Sequence, residues 1–405
     1  MATGIDTTSD RSRFKITAMM LSLAALSFSA PASALIVWQG KIVDRWPDEA
    51  TLAPSSDPLS RAPAPGINLY RSPKGTVWGL TLLVDFSDQA AAFTSEEVDE
   101  WLNLEGFDRF GCNGSVRDYF ADNSNGQVDF RNDVFGFYRA ENPKSYYEGG
   151  SGYERAGELV DEVMAYFDGQ VDFSKYDNDG DGRTDAISIV YAGFGQTWGQ
   201  GIWPHAGGLN ETRDGVRLAR YMMSDLKDEF ALYTFSHEVG HMLFGWPDLY
   251  GFGNYCIMGN GASGQNPPGI NDMYRADQGW IPIVDVDSTT NLIFQAVHNG
   301  AAYRYLNPNN AEEAFFWSNV QSSGRFETIQ GDGILVLHFD KTIGSNDPPN
   351  PLSLAVVQAD GLKELDGTMW PNPGSDVDDY FRADGVDEFS TETHATNAWN
   401  EGGEI

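Results

Sequence analysis

With only 2 cysteines in 405 residues, the chain cannot be built on a disulfide framework, and its stability must come from an apolar core. The two are Cys112 and Cys256. In an oxidising compartment they can form one bridge, and two buried free thiols fit the sequence equally well. Basic side chains are scarce too, 26 Lys and Arg against 59 Asp and Glu, for a net charge of −33. That balance excludes nucleic acid and anionic lipid as ordinary partners. It reads first as a solvated acidic surface. Beyond the N-terminal segment no apolar run has membrane-spanning length, and no internal repeat points to a solenoid or propeller. Histidine is sparse, with 6 copies, so any clustering of it is informative.

What is present can bury a sizeable core: 41% hydrophobic residues, including 11 Trp, 17 Tyr and 24 Phe. The N-terminus carries Arg11, Arg13 and Lys15, then an apolar run from Ile16 to Phe28, then Ala32-Ser33-Ala34. This order predicts a signal peptide over residues 1–34, cut after Ala34, and a secreted protein, extracellular or periplasmic, with no membrane association afterwards. Residues 35–75 are Pro-rich and aperiodic, as in Ala62-Pro63-Ala64-Pro65-Gly66, and read as an extended lead-in or the remnant of a prosegment. The remaining length suggests about two domains.

Periodicity predicts a buried strand over Val77 to Asp85 and a helix over Thr94 to Leu102, with Thr94 and Glu97 as a capping box. A second helix opens at Gly114 to Phe120 and ends near Asn123 to Gly126. Strand character follows over Gln127 to Tyr138, then a helix over Tyr153 to Phe167. After residue 285 short apolar runs alternate with turns: Leu292 to Val297, Ala314 to Trp317, Gly333 to Phe339 and Leu352 to Gln358. That texture predicts a β-rich C-terminal part, with the boundary near 282 to 290.

The most informative segment is His237-Glu238-Val239-Gly240-His241. Residues four apart share a helix face, so both imidazoles can meet one metal ion while Glu238 reaches a water on it. Catalytic zinc usually takes three protein ligands and a water. No Glu occurs between His241 and Glu312, so the nearest carboxylate is Asp248, in Gly245-Trp246-Pro247-Asp248-Leu249-Tyr250. Gly245 can end the helix and Pro247 stops its continuation, which turns the chain back under the metal. Asp272 and Asp277 remain alternatives for the third ligand, and Tyr250 a weaker one.

The run from His237 to Tyr250 resembles the immune inhibitor A-type secreted metalloproteases, whose pattern is H-E-x-x-H-x-x-G-x-x-D. Here one residue is inserted around Phe244, so Gly245 and Asp248 each fall one place late. Leu83 to Asp88, Gly114 to Phe120, Gly333 to Asp340 and Val357 to Gly361 match the family in character and order. The resemblance implies an α+β protein: a zincin-like catalytic domain over 76–284, with a mixed sheet and active-site helix, then a β-rich domain over 285–405. It implies a zinc endopeptidase acting on proteins or peptides, with Glu238 as general base and His237, His241 and Asp248 as zinc ligands. It gives Met258, in Cys256-Ile257-Met258-Gly259, a place beneath the metal. It also implies β structure beyond 391–403, so the end at Ile405 is expected to leave a C-terminal sheet unfinished. The alternative is a catalytically inactive, calcium-stabilised exported binding or surface protein on the same scaffold.

A second acidic segment places Asp177, Asp179, Asp181 and Asp185 around Gly180 and Gly182. Hard oxygen ligands at this spacing suit a structural calcium ion, as in the first half of an EF-hand loop. Position twelve is Ser188 and a strand-like run follows, so a complete EF-hand is excluded. His205 can touch substrate or metal, or be a satisfied structural histidine, the commoner case. His338 lies in an apparent strand, and His298 and His394 carry no assigned role.

Overall fold

The computed structural model describes residues 73–149, 154–196, 201–259, 264–286, 300–329, 331–343, 352–366 and 375–389. It adds the backbone of three short strands, β1 (Phe14–Lys15), β2 (Ile36–Trp38) and β3 (Lys41–Val43). The rest of the expected signal peptide and lead-in, the run 292–297, His298, His394 and the segment 391–403 lie outside the described residues, as does the Tyr250 side chain. No described helix is long and apolar enough to cross a membrane.

The chain forms a mixed α+β fold around two sheets. At the centre of the first lies β4 (Gly75–Asp85), buried without interruption from Leu80 to Asp85. A strand that apolar throughout must be covered on both faces, which is the condition of a parallel sheet between helical layers. β4 pairs in parallel with β5 (Val128–Arg139) and β7 (Ile187–Ala192). β7 continues in parallel to β9 (Val216–Leu226), which also takes the two-residue β6 (Arg183–Thr184). Antiparallel β8 (His205–Arg213) closes the far side of β9.

Alternate residues of these strands enter different cores. Leu83, Val190 and Met222 join a cluster with α1 (Ser95–Asn103) and α2 (Val116–Asn123). Leu82, Val84, Ile189, Tyr191 and Met223 join a second cluster with α4 (Glu154–Phe167). The short α3 (Lys144–Glu148) sits before α4. Both helices on the first face begin at capping boxes: Thr94 with Glu97, and Ser115 with Asp118. The helix containing the first histidine of the motif, α5 (Tyr233–Val239), lies on that same face.

The second sheet runs β10 (Ile283–Asp285), β11 (Ala302–Asn307), β12 (Asn310–Val320), β13 (Gly333–Asp340), β14 (Leu354–Val357), antiparallel except at β10–β11. One face contributes Ala314, Phe316, Leu337, Phe339 and Val356 to the core that holds α1, α2 and α5. The other face packs Phe315, Trp317 and Val336 against Phe381 and Phe389, the latter in β15 (Glu388–Phe389), which pairs with β1. Arg325 bolts the two parts together, donating to Asp122 at 2.8 Å and Asn113 at 2.6 Å.

The cysteines do not form the bridge that export would favour. Both are buried free thiols. Cys112 Sγ donates to the Phe230 carbonyl at 3.5 Å, and Cys256 Sγ accepts from Asn271 Nδ2 at 3.3 Å. Burial pushes the Cys112 thiol up to about 11, helped by the Glu229 carboxylate, so it stays protonated.

Candidate metal centre

The motif is not a single α-helix, as the four-residue spacing alone predicts. α5 ends at Val239, and Gly240–Phe244 form a π-helical turn. A π turn holds one residue more than an α turn. Gly245, at φ 71, adopts the left-handed conformation that terminates a helix. Its N–H donates to the His241 carbonyl at 3.2 Å, and Trp246 N–H donates to the Gly240 carbonyl at 3.2 Å. Beyond them Pro247 keeps that helix from continuing.

This path brings Asp248 back to both imidazoles. His237 Nε2 stands 3.0 Å from Asp248 Oδ1, His241 Nε2 stands 3.4 Å from the same oxygen, and the two Nε2 atoms are 3.1 Å apart. Each ring is held through its other nitrogen: His237 Nδ1 is 2.9 Å from the Ile257 carbonyl, and His241 Nδ1 is 2.5 Å from that of Trp246. A carbonyl can only accept, so Nδ1 carries the hydrogen in both rings and Nε2 presents a lone pair. Three electron-pair donors therefore converge on one point, an arrangement that only a shared cation or protons can make favourable. Zinc bonds of about 2.0–2.1 Å at tetrahedral angles separate neighbouring donors by about 3.3 Å, which the observed edges match.

The electrostatics agree. Burial works against the Asp248 carboxylate, yet the facing imidazoles of His241 and His237 outweigh it and hold the carboxyl well below the usual range. His241 moves up, against its own burial, because of Asp248. Glu238 is 6% exposed, and its Oε2 has no hydrogen-bond partner among the described residues. Burial raises its carboxyl to about 8, with the charges of Asp248 and Asp225 adding to the effect and His237 opposing it. Beneath the turn Met258 is fully buried, and its Sδ lies 2.7 Å from where a Cβ on Gly240 would stand. Tyr233 at the start of α5 donates its hydroxyl to the Gly259 carbonyl at 2.6 Å, tying helix and loop together.

Among the described residues a second group of possible metal ligands comprises Asp177, Asp179 and Asp181, on the loop before β6. Asp185 does not join it, contrary to the spacing. Its Oδ2 accepts from the Asn178 backbone N–H at 2.7 Å and side-chain amide at 3.1 Å, while Asn178 Oδ1 accepts from Trp78 N–H at 2.7 Å. Asp185 thus clips the loop to β4 through Asn178.

The fallback carboxylates lie elsewhere: Asp272 pairs with Arg275 at 2.8 Å inside α6 (Asp272–Asp277), and Asp277 accepts from Gln278. His205 is buried between the Trp203 carbonyl, 2.7 Å, and the Tyr221 hydroxyl, 2.9 Å, the position of a structural histidine. His338 pairs with buried Glu313 at 2.8 Å in the second sheet. Reasoning from sequence misses the carbonyls of Ile257 and Trp246 that orient the imidazoles, since backbone groups leave no residue signature. It also misses the π turn at Gly240–Phe244. No family model matches the chain, and no curated protein matches it significantly.

Proposed function

We propose that this chain is a secreted zinc endopeptidase of the immune inhibitor A type, with His237, His241 and Asp248 as metal ligands and Glu238 as general base. On this reading the parallel sheet with α5 is the zincin-like catalytic part, over 76–284, and residues 285–405 form its β-rich companion. The observation that carries the proposal is the triad of donors 3.0 to 3.4 Å apart beside a buried carboxylate that has an unengaged oxygen.

A bound zinc ion supplies a Lewis acid that acidifies a water and polarises the scissile carbonyl. Asp248 and the two imidazoles hold the site, their orientation set by the Ile257 and Trp246 carbonyls. Glu238 takes a proton from the attacking water and returns it to the leaving amine. Its elevated proton affinity suits the second half of that task, and a nearby dication favours the ionised form needed for the first. Asp177, Asp179 and Asp181 are assigned to a structural calcium ion, and the substrates are proteins or peptides.

The test is Glu238→Gln in the purified protein. It should retain one zinc per chain by elemental analysis while casein hydrolysis falls by roughly 10²–10⁴. Casein cleavage by E238Q at the wild-type rate, or a wild-type chain that takes up no zinc, would end the proposal.

A further inference from the structure

Arg220 lies on β9 with 4% exposure, two residues before Met222 and facing the same core as α5. Its Nη1 donates to the Met242 carbonyl at 2.5 Å, inside the π turn. In the Schellman ending of a helix the left-handed residue donates to the carbonyl three back, and the next residue to the carbonyl five back. Here Gly245 reaches five back, to Gly240, and four back, to His241, while Trp246 reaches six back, to Gly240. Every one of these bonds is wider than its Schellman counterpart. The carbonyl three back from Gly245 belongs to Met242, and that is the one the guanidinium takes. A buried guanidinium is costly unless hydrogen-bonded, and the carbonyl end of a helix is where a cation is best accommodated.

We infer that Arg220 is a positioning residue for the metal triad: it holds the widened turn after His241 in the shape that lets Asp248 reach both imidazoles. The link is short. Trp246, whose carbonyl orients His241, directly follows the left-handed Gly245, and Asp248 stands two residues further on. Without a donor on Met242, the turn tends to tighten to the Schellman pattern. That draws Gly245 N–H back to Met242 and moves Trp246 and Asp248 with it. The inference rests on the metal-site reading above.

The test compares Arg220→Met and Arg220→Lys with the wild-type chain. Zinc dissociation constants are measured by competition with a chromophoric chelator, and visible spectra are recorded after cobalt(II) substitution. R220M should bind zinc about 10- to 100-fold more weakly, the range for residues that orient metal ligands, and shift the cobalt bands. R220K, which keeps a cation and a donor, should lose less. Folding is followed by near-ultraviolet circular dichroism of the metal-free proteins. A folded R220M with zinc affinity within about threefold of wild type and an unchanged cobalt spectrum overturns the inference. If R220M does not fold, R220K decides. Weakened zinc binding with a shifted cobalt spectrum supports the role, whereas unchanged binding with a lower melting temperature makes Arg220 a stability residue only. A wild-type chain that binds zinc yet leaves casein intact removes the proposed activity but not this inference. One that binds no zinc removes both.

Discussion

Gly240 and Met258 are packed so closely that a Cβ on the glycine would lie 2.7 Å from the methionine Sδ and 3.1 Å from Trp246 Cε3. Gly240 has ordinary helical angles, φ −53 and ψ −47, so space and not backbone conformation makes it glycine. Met258 can yield through its flexible thioether. Trp246 cannot easily do so, since it stacks on Phe244 at 4.5 Å and on Tyr274 at 5.4 Å. Gly240→Ala is therefore expected to cost about 1–3 kcal/mol by overpacking. It should also weaken zinc binding, because the carbonyl of Trp246 orients His241. Combining it with Met258→Ala should destabilise less than the sum of the single changes, as the added methyl fills part of the vacated space. Denaturant titrations of the metal-free proteins check this, and additive losses would argue against the packing account.

The acidic loop makes a second expectation concrete. Asp181 and Gly182 donate their N–H groups to Asp177, and Asp181 also donates to Asp179, so the loop's own amides already gather the carboxylates. Burial and the neighbouring Asp179 and Asp177 raise the Asp181 carboxyl, a repulsion that a dication relieves. Calcium at about 10 mM should raise the melting temperature of the wild-type chain by several degrees, given weak extracellular-type sites and stabilisation by mass action. Asp179→Asn and Asp181→Asn should abolish the increment. Asp185→Asn should lower the melting temperature with and without calcium and leave the increment in place, because its role is to grip Asn178. An unresponsive wild-type chain would dismiss the site.

How much of this could be read beforehand depended on how local the cause was. The buried run of β4, the capping box at Thr94 and the helical spacing over α4 are determined within a few residues, and each appears where the sequence pattern puts it. The pairing of His237 with His241 is local in the same sense. Asp248 is intermediate: the turn at Gly245 and Pro247 announces a reversal, but only the π turn brings the carboxylate to both imidazoles. Features that depend on distant partners left no trace. Whether Cys112 and Cys256 meet is decided by what packs around them, and Asp185 answers to an asparagine clipped to another strand. The grip of Arg220 on Met242 joins residues 22 apart through the side chain of one and the backbone of the other.

Asp379 gives the last expectation, and its sign comes from linkage. The residue is 1% exposed, and its Oδ2 accepts from the Tyr255 hydroxyl at 2.7 Å and from Asp376 N–H at 3.0 Å. Burial nevertheless lifts its carboxyl from 3.8 to about 7, with Asp376 and Asp360 adding repulsion and the two hydrogen bonds opposing the shift. Between those values the folded chain holds more protons than the unfolded one, so stability falls as pH rises through the window and levels off above it. At about 1.4 kcal/mol per unit the loss reaches roughly 4 kcal/mol if the unfolded carboxyl titrates normally. Tyr255 precedes Cys256-Ile257-Met258, so the strain falls on the segment whose Ile257 carbonyl orients His237. Asp379→Asn keeps an acceptor for Tyr255 and removes the charge. Many other carboxylates titrate over the same range, so the informative quantity is the difference between the two proteins. In excess chelator, D379N should match or slightly trail the wild-type chain near pH 4 and exceed it near pH 8, by denaturant midpoint. Parallel pH curves would show that Asp379 ionises in the folded protein without cost.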